Sequence, residues 1–148
     1  MCPPLVLGPI VHYLNSLDAL NTSNQRVRNM ITGQCKKKLP DTGTYLWVDV
    51  QDLALAHVKA MELPEAADKR FFITAGYFTN KQIAEIIRKH FPEYRDQLPP
   101  PEDKSGDFPE GGVYKYDNSR AMKVLGLKWR TLEESVMDTV KSLKAVGA

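Results

Sequence analysis

Tyr77 and Lys81 are the two residues of this sequence whose types and spacing come closest to a catalytic pair. Four positions apart on one helix, a lysine ammonium lies beside the tyrosine phenol and lowers its pKa for general acid catalysis. Thr79 lies between them, however, and Gln82 follows three residues later, which predicts a capping box that starts a helix after Tyr77. Because the two side chains then share no helix face, we interpret the spacing as coincidental.

Asp49 and Asp52 form a second candidate group, because two nearby carboxylates can carry out acid–base chemistry. Both also lie at the start of a predicted helix, where Asp49 can cap free N–H groups and the helix dipole favours an anion by about 0.3 to 1 kcal/mol. We therefore predict a structural role for both.

His57 and His90 lie on apolar helix stripes without metal-ligand spacing, so we expect both histidines to pack in the core.

The motifs of several large enzyme classes do not occur in these 148 residues. No glycine-rich phosphate loop lies between a strand and a helix, and there is no Gly-x-Ser-x-Gly sequence. The two cysteines have neither disulfide-framework nor zinc spacing, which indicates a reduced, cytoplasmic setting. The sequence has no signal-peptide pattern and no membrane-length apolar run. A net charge of +2, with no aromatic residues among the lysines of 36–38, argues against nucleic acid as a partner.

The elements that would position any site alternate between strand and helix along one domain-sized chain. Hydrophobic residues make up 43% and charged residues 26%, as in globular proteins. The central unit is a strand over 45–48 that passes directly into a helix, which Pro64 ends. Its predicted apolar face consists of Val50, Leu53, Ala54, His57, Val58 and Met61.

Further elements are predicted on both sides of this unit. We expect strands near 5–7, 70–74 and 113–117, and helices that follow the capping residues Thr22, Thr79, Asp117 or Asn118, and Thr131. The segment 98–112 is rich in proline and glycine, which predicts an irregular surface loop that is long enough to act as a functional flap.

Several stretches, in this order, are similar to one enzyme family. They are Pro3-Pro4-Leu5-Val6-Leu7-Gly8-Pro9, Leu20 to Asn24, Trp47 to His57, Phe71 to Gly76, Asp117 to Ala121 and Arg130 to Ser135. Together they resemble the C-terminal part of extended short-chain dehydrogenases/reductases of the NAD-dependent epimerase/dehydratase superfamily. The resemblance is strongest to fungal methylglyoxal and aldehyde reductases, which are related to plant dihydroflavonol reductase.

This resemblance implies an α/β fold made of the C-terminal strands and helices of a Rossmann-type parallel sheet plus a small α/β substrate-binding lobe. Residues 1–15 and 45–76 would belong to the Rossmann nucleotide-binding domain, and residues 16–44 and 77–148 to the lobe. The family's activity would be NADPH- or NADH-dependent reduction of an aldehyde or ketone to an alcohol. The family's glycine-rich loop and catalytic serine, tyrosine and lysine precede the Pro3 strand and match no residue of this sequence. We therefore expect little activity and little cofactor binding from these residues alone.

The resemblance also implies candidate site residues. Pro3 and Leu5 match a strand that packs near the nicotinamide, and Ser23 matches a serine that contacts the cofactor phosphates from a helix's first turn. A buried strand and a helix cap explain these residues equally well. Tyr45 and Trp47 are candidates to line the substrate, with core packing as the alternative.

A function of a different class is also compatible with the sequence. The chain could be a non-catalytic binding or oligomerisation module that pairs an exposed strand edge at Leu5–Leu7 with another chain. Gln51 departs from the arginine that is common in relatives at this position, which removes a possible ion pair.

Overall fold

The computed structural model describes residues 1–148 and has the predicted α/β class. Three short strands form one sheet in the order β1-β2-β3, with β1 parallel to β2 and β3 antiparallel to it. The strands and helices are β1 (Leu5–Leu7), α1 (Thr22–Ile31), β2 (Leu46–Asp49), α2 (Val50–Glu62), β3 (Gly76–Tyr77), α3 (Asn80–His90), α4 (Ser119–Leu125) and α5 (Leu132–Ala145). None of the helices combines the length and apolar composition needed to cross a bilayer.

The two faces of the parallel pair carry separate hydrophobic clusters, because successive strand residues point to opposite sides. Leu7 and Trp47 belong to the larger cluster, which also contains core residues of α1, α3 and α5. Val48 belongs to the smaller cluster, which contains core residues of α2 and α4, and Val6 packs against it. A layer of helices thus covers each face of the sheet, as in Rossmann-type folds.

The β2–α2 unit forms as predicted at both ends, but its buried face is different. Asp49 caps α2 by accepting a hydrogen bond from the Gln51 N–H at 2.7 Å, and the helix ends two residues before Pro64. The predicted apolar stripe is wrong: Asp52 and Ala56 are buried, whereas Val58 is 46% exposed and Met61 is 83% exposed. His57 is also exposed, and its Nδ1 lies 2.9 Å from the carbonyl oxygen of Leu53 in its own helix.

Of the three capping boxes predicted from the sequence, two are confirmed and one is wrong. Thr79 and Thr131 both form complete capping boxes, with Gln82 and Glu134 as their partners. The box predicted at Thr22 is wrong, because the helix already includes Thr22. Asn21 is the N-cap residue, and its side chain donates to the Ser23 hydroxyl at 2.7 Å instead of capping the helix.

Two predicted strands are shorter than expected or absent. Within 70–74 only Phe72 forms a bridge, to Cys2, and regular pairing begins at Gly76. The segment 113–117 is not a strand. The Tyr77 hydroxyl of β3 donates to the Tyr114 carbonyl oxygen at 2.8 Å, which shows that this segment lies beside β3.

The loop over 98–112 is irregular as predicted, but its central part is firmly anchored. The Gly106 carbonyl accepts from the Thr42 hydroxyl at 2.7 Å and from the Lys81 N–H at 3.2 Å. Next to it, the Ser105 hydroxyl accepts from the Leu39 N–H at 2.8 Å. These bonds tie the loop to the start of α3 and to the segment that precedes β2.

Candidate functional site

Pro3 and Tyr45 lie at the same end of the parallel strand pair. Leu5 of β1 pairs with Trp47 of β2, and Pro3 and Tyr45 each lie two residues before these partners. Pro3 is exposed and Leu5 is half-buried, so both offer apolar surface at this end of the sheet. A predicted cofactor residue and a predicted substrate residue therefore lie at the same end of the sheet.

Ser23 lies in the first turn of α1, whose leading N–H groups have no acceptor within the helix. Its side chain is buried, and its hydroxyl oxygen accepts the hydrogen bond from Asn21. The next residue, Asn24, is also buried, and its Oδ1 atom has no hydrogen-bond partner. This turn therefore places a hydroxyl group beside free backbone donors, which is an arrangement suited to an anion.

Trp47 and Tyr45 occupy different environments although they are two residues apart. Trp47 is only 3% exposed and lies in the larger hydrophobic cluster, which favours the core-packing alternative for this residue. Tyr45 is half-buried and packs against the Phe108 ring, with 5.7 Å between the ring centres. The structure therefore leaves Tyr45, but not Trp47, with accessible ring surface.

Tyr45 is the first ring of a continuous series that we call the aromatic row. From one ring to the next the centre-to-centre distances are 5.7, 6.4, 5.1 and 6.4 Å. In this order, the aromatic row consists of Tyr45, Phe108, Tyr77, Tyr116 and Phe72. None of the five belongs to either hydrophobic cluster. Aromatic residues are frequent in 72–78 and 108–116, and this was the sequence signal for the aromatic row. Their frequency does not indicate that the rings contact one another.

The Tyr77–Lys81 pair is not a catalytic pair in this structure. The Tyr77 hydroxyl is bonded to the Tyr114 carbonyl, whereas the Lys81 ammonium lies 3.2 Å from the carboxylate of Asp107. The hydrogen bond from the Phe108 N–H, helped by Lys81, lowers the pKa of Asp107. The two side chains therefore serve different contacts, in agreement with the capping argument.

Arg26 is a polar residue of this region that was not predicted from the sequence as a candidate site residue. Its guanidinium donates to Asn80 Oδ1 at 2.7 Å and to the Thr42 carbonyl oxygen at 3.1 Å, and it lies 5.8 Å from the centre of the Phe78 ring. No carboxylate lies within ion-pair distance, and burial lowers its pKa. Arg26 thus joins α1 to the two segments that hold the 98–112 loop.

Asp49 and Asp52 have the structural roles predicted from the sequence. Asp49 is fully buried, and its carboxylate accepts from the Ser135 hydroxyl at 2.6 Å in addition to the Gln51 N–H. Asp52 forms an ion pair with Arg130.

His90 is half-buried, and its Nε2 lies 2.5 Å from Glu133 Oε1 on the first turn of α5, so it is not a purely apolar core residue. No cluster of three or more potential metal ligands occurs.

Comparisons with known proteins identify relatives for nearly the whole chain, although no protein-family model matches it. It is 48% identical over 142 residues to a ketoreductase of Aspergillus niger, an alignment that covers 95% of this chain and 41% of the relative. It is 36% identical over 145 residues to cinnamoyl-CoA reductase 1 of Arabidopsis thaliana, covering 98% of this chain and 39% of the relative.

Solved structures of reductases have the same fold as this chain. A crystal structure of the yeast methylglyoxal/isovaleraldehyde reductase complexed with NADPH superimposes with a TM-score of 0.78 and 28% identity, covering 96% of this chain and 42% of the reductase. The chain therefore spans about two fifths of the length of each relative. In sequence and in fold, the chain belongs to the extended short-chain dehydrogenase/reductase (epimerase) family and corresponds to the C-terminal portion of its members.

Proposed function

We propose that this chain is the C-terminal, substrate-lobe part of an NADPH-dependent oxidoreductase that reduces an aldehyde or ketone to an alcohol. The observation that carries the proposal is the 48% identity to a ketoreductase along 95% of the chain. The similarity to a reductase complexed with NADPH supports NADPH as the cofactor. A small-molecule carbonyl compound is accordingly the partner that we propose, and a cytoplasmic location and the absence of a nucleic-acid partner remain predictions.

Two places in the chain support the proposal that its residues help to hold such a cofactor. Exposed Pro3 and half-buried Leu5 offer apolar surface for a nicotinamide ring, and the first turn of α1 offers Ser23 and free N–H groups for phosphates. When bound, NADPH supplies the hydride for carbonyl reduction. The role of Pro3 and Leu5 is to orient the ring and exclude water from it, and the role of Ser23 is to hold negative charge.

The substrate side of the proposal assigns direct contact to Tyr45, with Trp47 supporting β2 from the core. We also propose the division of the chain that the family implies, with residues 1–15 and 45–76 in the Rossmann domain. Residues 16–44 and 77–148 would form the substrate lobe. Tyr45 of the Rossmann part packs against Phe108 of the lobe, so a bound carbonyl compound would meet both domains beside Tyr45.

A chimera tests this function directly. This chain replaces the matching C-terminal part of the A. niger ketoreductase, to which it is 48% identical. Oxidation of NADPH is followed by its absorbance in the presence of aldehydes and ketones. We expect carbonyl-dependent turnover, because the two parts would complete one cofactor and substrate site.

The parental ketoreductase is the positive control, and circular dichroism with thermal melting establishes that the chimera is folded. A folded chimera that oxidises no NADPH under conditions in which the parent is active would show that the proposal is wrong. The 148-residue chain assayed alone measures how much activity these residues have by themselves.

A second candidate is the non-catalytic binding or oligomerisation module. The observation that favours it is the position of β1 at the edge of the sheet, with β2 as its single bonded neighbour. An edge strand presents backbone N–H and C=O groups that can pair with another strand. Size-exclusion chromatography with light scattering distinguishes the two, since a concentration-independent monomer contradicts self-association.

A further inference from the structure

We propose that Arg26 is a positioning residue, which holds the segment 40–45 against α1 and thereby sets the affinity of the proposed reductase for its carbonyl substrate. This inference rests on the proposed function for its link to the substrate. Whether Arg26 fixes the segment 40–45 can be measured on the 148-residue chain alone.

Arg26 lies between the proposed cofactor side and the proposed substrate side. It comes three residues after Ser23 on α1, and residues at this spacing are neighbours on a helix surface. Its Nη1 atom donates at 3.1 Å to the carbonyl oxygen of Thr42, which precedes Tyr45 by three residues. One side chain thus connects the helix that would hold the cofactor phosphates to the segment that leads into Tyr45.

A second contact of Arg26 leads to the backbone of Tyr45 itself. The guanidinium lies 5.8 Å from the centre of the Phe78 ring, and Phe78 is fully buried. The Phe78 N–H in turn donates to the Tyr45 carbonyl oxygen at 2.9 Å. Arg26 therefore packs on the residue that fixes the proposed substrate contact.

A third contact leads to the ring that packs against Tyr45. The guanidinium donates at 2.7 Å to Oδ1 of Asn80, whose backbone N–H donates to the Thr42 hydroxyl at 3.0 Å. This hydroxyl donates to the carbonyl oxygen of Gly106, two residues before Phe108. All of these bonds join parts of this chain to one another, so they form whatever lies against its surface.

Stability alone does not explain a charged residue at this position. Arg26 is half-buried and forms no ion pair, and removing a charge from water without a counter-ion costs free energy. An apolar side chain of similar length would pack on Phe78 without this cost. It would lack the donor, because Nη1 alone bonds to oxygens of two segments that are far apart in sequence.

Hydrogen exchange followed by NMR tests the positioning on the chain alone. Arg26→Met keeps a long, unbranched side chain but removes the donors. We expect the N–H groups of Phe78 and Asn80 to exchange about 10-fold faster, because their acceptors belong to the released segment. The N–H groups of α5 should exchange at an unchanged rate.

Arg28→Met is the matched control for this substitution. Arg28 lies two residues further along α1, is half-buried like Arg26 and forms no ion pair. Its Nε atom has no hydrogen-bond partner. Its replacement should therefore leave the exchange of the Phe78 and Asn80 N–H groups unchanged.

The chimera with the A. niger ketoreductase tests the consequence for the substrate, with isovaleraldehyde as the carbonyl compound. Arg26→Met should raise the KM for isovaleraldehyde by about 3- to 30-fold, because Tyr45 is held less firmly. The kcat and the KM for NADPH should change by less than about 2-fold, since Ser23 is untouched. A merely structural role would instead reduce the amount of folded enzyme, and hence the apparent kcat, with an unchanged KM.

Arg26→Lys provides the conservative variant. It keeps the charge and a donor, but the shorter side chain cannot reach both oxygens, so its KM for isovaleraldehyde should lie between those of the parent chimera and Arg26→Met. If Arg26→Met does not fold, Arg26→Lys decides the test through an expected rise of about 2- to 10-fold.

The outcomes separate this proposal from the proposed function. The role of Arg26 is refuted, and the reductase assignment stands, if an active chimera keeps its KM for isovaleraldehyde in the Arg26 variants. An equal rise in Arg28→Met, or unchanged exchange of the Phe78 and Asn80 N–H groups in the chain, also overturns the proposal. An inactive parent chimera refutes the reductase assignment and, with it, the link between Arg26 and a substrate.

Discussion

The carboxylate of Asp52 binds both the backbone and the side chain of Arg130, 78 residues further along the chain. Its Oδ2 atom accepts from the Arg130 N–H at 2.8 Å, and its Oδ1 atom pairs with the guanidinium. Gln51 also accepts from this guanidinium at 3.3 Å, so the residue that departs from the family pattern still contributes to the contact. The first turn of α2 is thereby fixed to the residue that leads into α5.

Removing the Asp52 charge should therefore destabilise the fold. Asp52 is buried, whereas the Arg130 side chain is 38% exposed, so Asp52→Asn should lower the free energy of unfolding by about 1 to 3 kcal/mol. Urea unfolding followed by circular dichroism measures this change. Asp138→Asn is the control, because Asp138 forms a 3.5 Å exposed pair with Lys141 and should cost under about 0.5 kcal/mol. Equal effects of the two variants would contradict the anchoring role of Asp52.

The Asp52–Arg130 contact also explains where sequence reasoning failed. Apolar periodicity placed Val58 and Met61 on the buried face of α2, but the face that packs inward holds Ala56 and Asp52, which is paired with Arg130. Periodicity carries no information about a polar partner so distant in sequence. Capping residues were predicted well where the pattern was complete, as at Thr79, because the chemistry of a cap is contained within four residues.

The candidate site likewise contains one relationship that could be predicted from the sequence and one that could not. Family resemblance assigned Pro3 to the cofactor and Tyr45 to the substrate or the core, and the parallel register of β1 and β2 brings them to the same end of the sheet. The aromatic row was not predicted, because its members come from three separate segments. Phe108 reaches Tyr45 only through the hydrogen bonds that anchor Gly106, and such loop geometry cannot be derived from residue types alone.

Gly106 gives a second stability prediction, since its conformation and its surroundings both require glycine. Its φ angle is +69°, and an added Cβ would lie 2.9 Å from Leu39 Cβ and 3.0 Å from Asn80 Cβ. Gly106→Ala should therefore cost about 2 to 4 kcal/mol, through backbone strain together with overpacking. Thermal and urea unfolding give the value.

Gly112→Ala is the matched control for this substitution. Gly112 has a similar φ angle of +74°, but nothing lies within 4 Å of an added Cβ. It should cost about 1 to 2 kcal/mol from the left-handed backbone alone. If both variants lose the same stability, the close packing around Gly106 contributes nothing.

A pH-dependent contribution to stability is expected from Glu133 at the start of α5. Hydrogen bonds from Lys89 and then from His90 lower the pKa of this carboxyl below its ordinary value of 4.5. Because the folded pKa is depressed, the contribution is complete above the ordinary value and is lost as the pH falls through the folded pKa. Glu133→Gln should therefore reduce the loss of unfolding free energy between about pH 7 and about pH 3.

The control for this pH dependence is Glu65→Gln, since Glu65 is exposed and forms no ion pair. Urea unfolding curves at the two pH values give the comparison. If Glu133→Gln and Glu65→Gln change the pH dependence equally, the contacts of Glu133 with Lys89 and His90 do not stabilise the fold.

Ser23 provides the prediction that bears most directly on cofactor binding. A hydrogen bond to a charged phosphate group is worth about 1.5 to 3 kcal/mol, so Ser23→Ala in the chimera should raise the KM for NADPH by about 10- to 150-fold. The kcat should change little, because Ser23 would bind the phosphates and not the reacting atoms. Thr22→Ala is the control, as Thr22 is the exposed neighbour in the same turn and the family resemblance assigns it no cofactor contact. An unchanged KM for NADPH in Ser23→Ala, or an equal rise in Thr22→Ala, would contradict the phosphate contact and leave Ser23 as a buried residue that only accepts from Asn21.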